Sequence, residues 1–469
     1  MPFRTTRLKT PNADLVAQFD EIRDDLAIDL DFDEAVETEA ARAIAQLALP
    51  DADATDIPFV TIDPPGSRDL DQALFIERVG DGFRVYYAIA DLASVIVPGG
   101  AIDREARKRG QTMYAPDASA PLHPRAISEG AASLLPDQVR SAYVWALDLD
   151  ESGKRITSTL HRARVRSREQ LTYDEAQQRA DAGDALMLLL KQVGELRIQR
   201  EADRGGASLD MPEEEIVAAG ESWTIQRRQL LPVEQWNAQI SLLTGMEAAR
   251  LQLEAGRGIV RTMPKPPRDA MAQFRREVRD MGIAFDDDEE YGAFLRRLDR
   301  THPAAIAVLM AARSLFRGAG YQVLTGTPSP ADVIQAAIGA PYAHTTAPLR
   351  RLVDRYVLAH CEAIANDTEI PVWATEGLEG LSEIMAGSAQ KASALERECI
   401  AAVTAVILAP RVGEVFAGII VDRRDERAEV ELLDPPVTAM VVAEGEPGTT
   451  VQVRLESIRE SQPVFVIAS

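Results

Sequence analysis

Three aspartates in one short stretch could do chemistry together: Asp63, Asp69 and Asp71, within Thr61-Ile62-Asp63-Pro64-Pro65-Gly66-Ser67-Arg68-Asp69-Leu70-Asp71-Gln72-Ala73. Asp69 and Asp71 are two residues apart, so on extended chain they share a face. Asp63 ends the preceding apolar run, close enough to join them. Carboxylates crowded in this way repel one another unless a cation sits among them. An all-oxygen cluster suits a hard divalent ion, Mg2+ or Mn2+, rather than zinc. Carboxylates that hold Mg2+ against a phosphate are the machinery of hydrolytic phosphodiester cleavage. The alternative is an ordinary turn with solvated acids, in a chain rich in acids. The apolar runs on both sides count against it, because they place the acids at the rim of a core. Far along the chain, Pro341-Tyr342-Ala343-His344-Thr345-Thr346-Ala347-Pro348-Leu349-Arg350-Arg351-Leu352-Val353-Asp354 supplies a guanidinium. An arginine held after a rigid proline can present its fork to a phosphate and stabilise the charge that gathers there during hydrolysis.

The elements that must position these groups are legible around them. A β-rich run, Phe59-Val60-Thr61-Ile62, is stopped by Pro64, Pro65 and Gly66, and a second run starts at Ala73. A Gly80-Asp81-Gly82 turn then leads into a third run towards Asp91. The spacing predicts two short helices over 13–28 and 32–49, a long helix over 171–200, and helices over 230–256, 269–318 and 384–410. After Val412-Gly413 the pattern changes to five short alternating runs, 415–421, 428–433, 438–442, 449–455 and 463–467, which suit a small OB-fold barrel. Phe416 and Phe465 are the only aromatics of that segment available to stack bases.

A chain of 469 residues is long enough for two or three domains. Its 46% hydrophobic content and mean hydropathy of −0.14 describe a soluble globular protein. No apolar run approaches the ~20 residues needed to span a bilayer, and the first residues lack an apolar signal core. Two cysteines imply no disulfide framework and fit a reducing cytoplasm. Five scattered histidines give no zinc spacing. A net charge of −23 counts against indiscriminate nucleic-acid binding but not against a basic path inside an acidic shell. Arginine clusters at 104–109, 162–168 and 350–355 are either such a path or solvated helix faces.

Taken together, the two motifs resemble the ribonuclease II family, whose RNB catalytic domain carries Thr-Ile-Asp-Pro, a short loop and Asp-x-Asp-Asp-Ala, and later Tyr-x-His-Phe-Thr-Ser-Pro-Ile-Arg-Arg-Tyr-x-Asp. Fragments between them, including Ala88-Ile89-Ala90-Asp91, Tyr114-x-Pro116 and Ser133-Leu134-Leu135-Pro136, follow the family in order. The resemblance implies an α+β fold: an N-terminal helical segment over 1–50 with a helix-turn-helix-like character, an RNB catalytic domain of mixed sheet and surrounding helices over 51–410, and an OB-fold RNA-binding domain over 411–469. It implies a processive 3′→5′ exoribonuclease acting on single-stranded RNA and releasing nucleoside 5′-monophosphates. Asp63, Asp69 and Asp71 would be metal ligands, with Asp71 and Arg350 catalytic. Tyr114, Glu234 and Arg351 would lie against RNA, with a core tyrosine and a solvated helix acid as the plainer roles for the first two. The family implies a monomer. Gln72 stands where a fourth aspartate is expected, Ala88 where a histidine is, and Ala347 and Leu352 where a serine and a tyrosine are. Gln72, Ala88 and Ala347 motivate a competing reading, a catalytically weak RNB-like RNA-binding protein, against which stand Asp63, Asp69, Asp71 and Arg350, all retained. Too few residues precede the first motif for the cold-shock barrels of larger relatives. Deleting the N-terminal segment is therefore expected to weaken RNA affinity and to spare cleavage of saturating short RNA.

Overall fold

The computed structural model describes residues 13–207, 213–219, 222–300, 302, 304–326, 328, 330–424, 426–459 and 462–468. Residues 1–12 of the N-terminal segment lie outside them. Its centre is a six-stranded sheet of β1 (Val60–Ile62), β2 (Gln72–Val79), β3 (Gly82–Ala90), β6 (Val139–Leu149), β7 (Arg155–Arg166) and β8 (Glu169–Leu171), in the spatial order β7-β6-β3-β2-β1-β8. All pairings are antiparallel except β1 with β8. A small hairpin of β4 (Met113–Tyr114) and β5 (Ser119–Ala120) interrupts the sheet in sequence.

The sheet is covered on both faces, and this explains why its strands read as nearly continuous apolar runs. On one face Leu74, Ile76, Tyr87 and Ile89 pack into a core with Trp236, Ile240 and Leu243 of α4 (Pro232–Ala255) and Val353, Tyr356 and Val357 of α5 (Leu352–Ala365). On the other, Ala73, Ala88, Ala90 and Val144 pack against Phe59, Leu70 and Ile96. Ala88 is fully buried, paired in register with Ala73 on one side and Val144 on the other, and its methyl packs into the core on that face of the sheet.

The helix expected over 171–200 is two helices, Tyr173–Asp181 and Ala185–Asp203, separated by Gly183 at a positive φ of 86°. Thr172 caps the first through a reciprocal pairing with Glu175. The N-terminal segment forms α1 (Ala13–Asp25) and α2 (Glu34–Ala45). Helix α2 packs beside α3 (Ala101–Arg109), and its buried Glu39 accepts the backbone N–H groups of Ala101 (2.6 Å) and Ile102 (3.3 Å) at the α3 N-terminus.

The C-terminal strands are β9 (Val415–Arg424), β10 (Arg427–Leu432), β11 (Thr438–Val442), β12 (Thr450–Arg459) and β13 (Gln462–Ile467), in the order β11-β10-β9-β12-β13. The end strands β11 and β13 lie beside each other, so the barrel is nearly closed, consistent with an OB fold. Phe416 and Phe465 meet edge to face inside it, ring centroids 6.0 Å apart, and each is 3% exposed. They fill the barrel core and are not available as base-stacking platforms.

Candidate active site

The first motif is a strand, a turn and a strand. Asp63 follows β1 and continues its parallel pairing, its N–H donating to the Leu171 carbonyl at 3.0 Å. Ser67 N–H then donates to the Pro64 carbonyl at 3.2 Å, and Gly66 has φ +79°. That is a type II turn, which wants proline second and glycine third. The returning chain is pinned from the far side: Ser133 Oγ donates to the Arg68 carbonyl (2.6 Å) and accepts from Leu70 N–H (2.9 Å). Asp71 precedes β2 and is only 2% exposed, while Asp63 and Asp69 are half-buried.

The second motif meets the first from 278 positions away, where Asp71 Oδ1 accepts the Leu349 N–H at 2.7 Å. Arg350, in the turn before α5, places Nε 3.6 Å from Asp71 Oδ2 and keeps its side chain 40% exposed. Thr112 N–H donates to the Arg350 carbonyl at 3.0 Å, tying that turn to the chain entering the β4–β5 hairpin. Tyr114 of the hairpin donates its hydroxyl to Asp69 Oδ2 at 3.4 Å. Three carboxylates, one phenol and one guanidinium thus share one place.

Its electrostatics are those of an acid cluster short of positive charge. Burial is the largest influence on all three aspartates and pushes them up, Asp63 to about 7 and Asp71 well above the carboxylate range; Arg350 opposes the rise in each case. Burial likewise raises the Tyr114 phenol, so it stays a neutral donor. Asp63 Oδ2 and Asp71 Oδ2 are buried oxygens without a hydrogen-bond partner. Among the described residues no three acidic, histidine or cysteine side chains converge as a ready-made metal cage. The donor chemistry nevertheless fits a hard dication: oxygen ligands only, two of them unsatisfied, in a site that one arginine does not neutralise.

The RNB domain model matches residues 52–366, two-thirds of the chain, and the RNase II-type exonuclease C-terminal S1 domain matches residues 414–458. The chain belongs to the RNB family. Ribonuclease R of Escherichia coli K12 is 27% identical over 402 residues, which cover 78% of this chain and 48% of that protein. The chain therefore spans about half the length of that relative. Among solved structures, Mycoplasma genitalium RNase R in complex with ribose methylated single-stranded RNA superposes with a TM-score of 0.87 at 19% identity, covering 97% of this chain and 78% of that one. Yeast Ssd1, described as a pseudonuclease, superposes with a TM-score of 0.72 at 17% identity, covering 95% and 59%. Curated relatives that this chain matches are named as ribonucleases and exoribonucleases.

Against the RNB pattern, Gln72 is informative. Its amide nitrogen donates to the Thr346 carbonyl and its oxygen lies 3.4 Å from the Tyr87 hydroxyl. It thereby cross-links the two motifs, with a donor that an aspartate at this position would lack. Two residues expected to face RNA are otherwise engaged. Glu234, at the third position of α4, accepts from Leu231 N–H (3.0 Å) and pairs with both terminal nitrogens of Arg228 (2.6 and 3.0 Å). It is a helix-capping acid. Arg351 grips Asp354 through two bonds of 2.5 and 2.7 Å, and Asp354, fully buried, also accepts Ala347 N–H at 2.7 Å. The motif in the sequence gives Asp354 no evident role; its i,i+3 spacing from Arg351 is the available signal.

The arginine clusters are largely internal struts. Arg355 pairs with Asp103 at 2.5 Å, Arg162 with the buried Asp91 at 2.6 Å, and Arg107 reaches the carbonyls of Gly377 and Glu379. His344 shares a 2.7 Å hydrogen bond with Tyr321, and burial, then Arg351 and Arg261, hold it well below the usual histidine range.

Proposed function

We propose that the protein is a 3′→5′ exoribonuclease that hydrolyses single-stranded RNA processively to nucleoside 5′-monophosphates with Mg2+. The observation that carries this reading is the buried Asp71 carboxylate beside Arg350, with Asp63 and Asp69 around it and two carboxylate oxygens unsatisfied. Asp63, Asp69 and Asp71 would hold the cation, which when bound supplies the positive charge that activates water and screens the phosphate. Arg350, half-exposed and able to turn from Asp71 towards substrate, stabilises charge on the phosphoryl oxygens. Tyr114 offers a ring beside the carboxylates on which a terminal base can stack, tolerant of sequence. The Leu349 N–H holds Asp71 in its rotamer, so the acid is pre-oriented before substrate arrives.

A second reading, a catalytically weak RNA-binding protein, draws on Gln72, whose amide gives its hydrogen to a carbonyl and brings no charge to the site. A time course on 5′-labelled single-stranded oligoribonucleotides, with Mg2+ and with chelator, separates the two. Progressive shortening that chelator abolishes supports the nuclease; binding of the same RNA without shortening supports the second reading.

A further inference from the structure

Arg23 of α1 is a positively charged residue with only 4% of its surface exposed. Its guanidinium donates two bonds to Asp117, at 2.7 and 2.8 Å, and one to Asp20 at 2.6 Å. Asp117 lies in the turn of the β4–β5 hairpin, three residues from Tyr114, and that turn is closed by Ala115 N–H donating to the Ala118 carbonyl at 2.9 Å. Each strand of the hairpin has two residues, too few to hold a shape unaided. Its base is tied to Arg350 through Thr112, and its tip has Arg23. Apolar packing follows the same line: Leu15 and Phe19 of α1 and Ile28 share one cluster with Met113, Ala115 and Ala120 of the hairpin and with Leu395 and Cys399 of α6 (Leu381–Leu408). Helix α1 precedes the residues that the RNB model matches.

We propose that Arg23 is a positioning residue: through Asp117 it clamps the tip of the hairpin and so holds Tyr114 against Asp69 in the active site. The bidentate geometry fixes orientation as well as distance, which a single lysine contact would not do. The N-terminal segment is then part of the catalytic centre's frame. The catalytic half of this proposal rests on the exoribonuclease reading; the clamp itself does not.

The test has two arms. Hydrogen exchange of the amides of residues 112–120 compares the parent with Arg23→Ala and with Asp117→Asn, which removes the charge while keeping the shape should the first variant fail to fold. Faster exchange confined to this hairpin is expected; unchanged protection in a folded variant overturns the clamp. Single-turnover cleavage of a short single-stranded RNA in Mg2+ then reads the consequence. The rate is expected to fall about 10-fold in Arg23→Ala, as for a misplaced active-site group, with the RNA concentration for half-maximal rate little changed. The loss should vanish in a Tyr114→Ala background and be partly restored by the exchange Arg23→Asp with Asp117→Arg. An equal loss with and without Tyr114 overturns the proposal. A parent that does not cleave overturns the exoribonuclease reading, and the exchange arm still decides the clamp.

Discussion

At the scale of single residues, the site is stressed without a cation, and that stress can be measured. Asp71→Asn keeps the oxygen that accepts Leu349 N–H and removes a buried carboxyl whose ionised form burial and its acidic neighbour disfavour. Turnover is expected to fall by orders of magnitude while RNA binding survives and the thermal midpoint in chelator rises; a midpoint below the parent's would contradict the crowding. Asp63 gives the pH dependence. Its carboxyl holds a proton up to about 7 in the folded state but releases it near 3.8 when unfolded, so its contribution to stability is lost as pH rises through that interval. In chelator, Asp63→Asn should match the parent near pH 4 and exceed it increasingly up to pH 7, as urea titrations at several pH values would show. The two adjacent arginines should separate cleanly. Arg350→Ala lowers the single-turnover rate by roughly 10²–10³, the scale for losing one pre-oriented transition-state donor. Arg351→Ala leaves the fully buried Asp354 without its partner and costs about 3–5 kcal/mol of stability. Chemical denaturation alongside single-turnover kinetics distinguishes them; equal rate losses in stable proteins would show that the wrong arginine has been assigned.

At the scale of elements, the helices that carry the site are anchored by side chains from elsewhere. Helix α3 has Gly100 at its N-cap, with no side chain to satisfy the first N–H groups, and Glu39 of α2 serves instead. At its other end Gly110 sits at φ +72° with its carbonyl accepting Leu352 N–H at 3.0 Å, so α3 abuts the start of α5. Glu39→Ala should therefore cost about 1–3 kcal/mol, more than an exposed cap, because the freed N–H groups are buried. Glu39→Gln should recover part of it in a thermal-unfolding comparison. The strands β1 to β3 and those of the barrel were legible because apolar runs bounded by turn residues, and alternation in the barrel, are local properties of the chain. The break between the helices at 173–181 and 185–203 was missed because the apolar spacing runs on across Gly183, while its left-handed backbone ends the first helix.

At the scale of the molecule, α1 packs on α6 and is bonded to the hairpin, within an apolar cluster that extends into the barrel. Removing residues 1–33 would expose the sites of Leu15, Phe19 and Ile28, a loss of roughly 5 kcal/mol or more of apolar burial, comparable with the whole stability of a domain. The truncated chain should unfold at a markedly lower temperature and, where folded, cleave slowly even with saturating short RNA. This reverses the expectation drawn from the sequence, in which the segment only added affinity. Normal single-turnover cleavage by the truncated chain would restore that expectation.

The first three strands of the sheet, the turn at Pro64-Pro65-Gly66, the C-terminal barrel and the pair of motifs that mark the family can be read from the sequence alone, because apolar runs, turn chemistry and motif spacing are written within a few residues, whereas the strands at 139–149, 155–166 and 169–171 cannot. What the polar side chains hold is settled in the folded chain alone. Asp71 meets Leu349 across 278 positions and Arg23 meets Asp117 across 94, and no local pattern encodes either meeting. Arg351 and most of the clustered arginines carried a charge suited to RNA, and Glu234 an acid expected near it, yet these side chains are engaged within the protein. A charge in a sequence has no partner until folding supplies one, and burial then decides whether that partner is another side chain or a ligand.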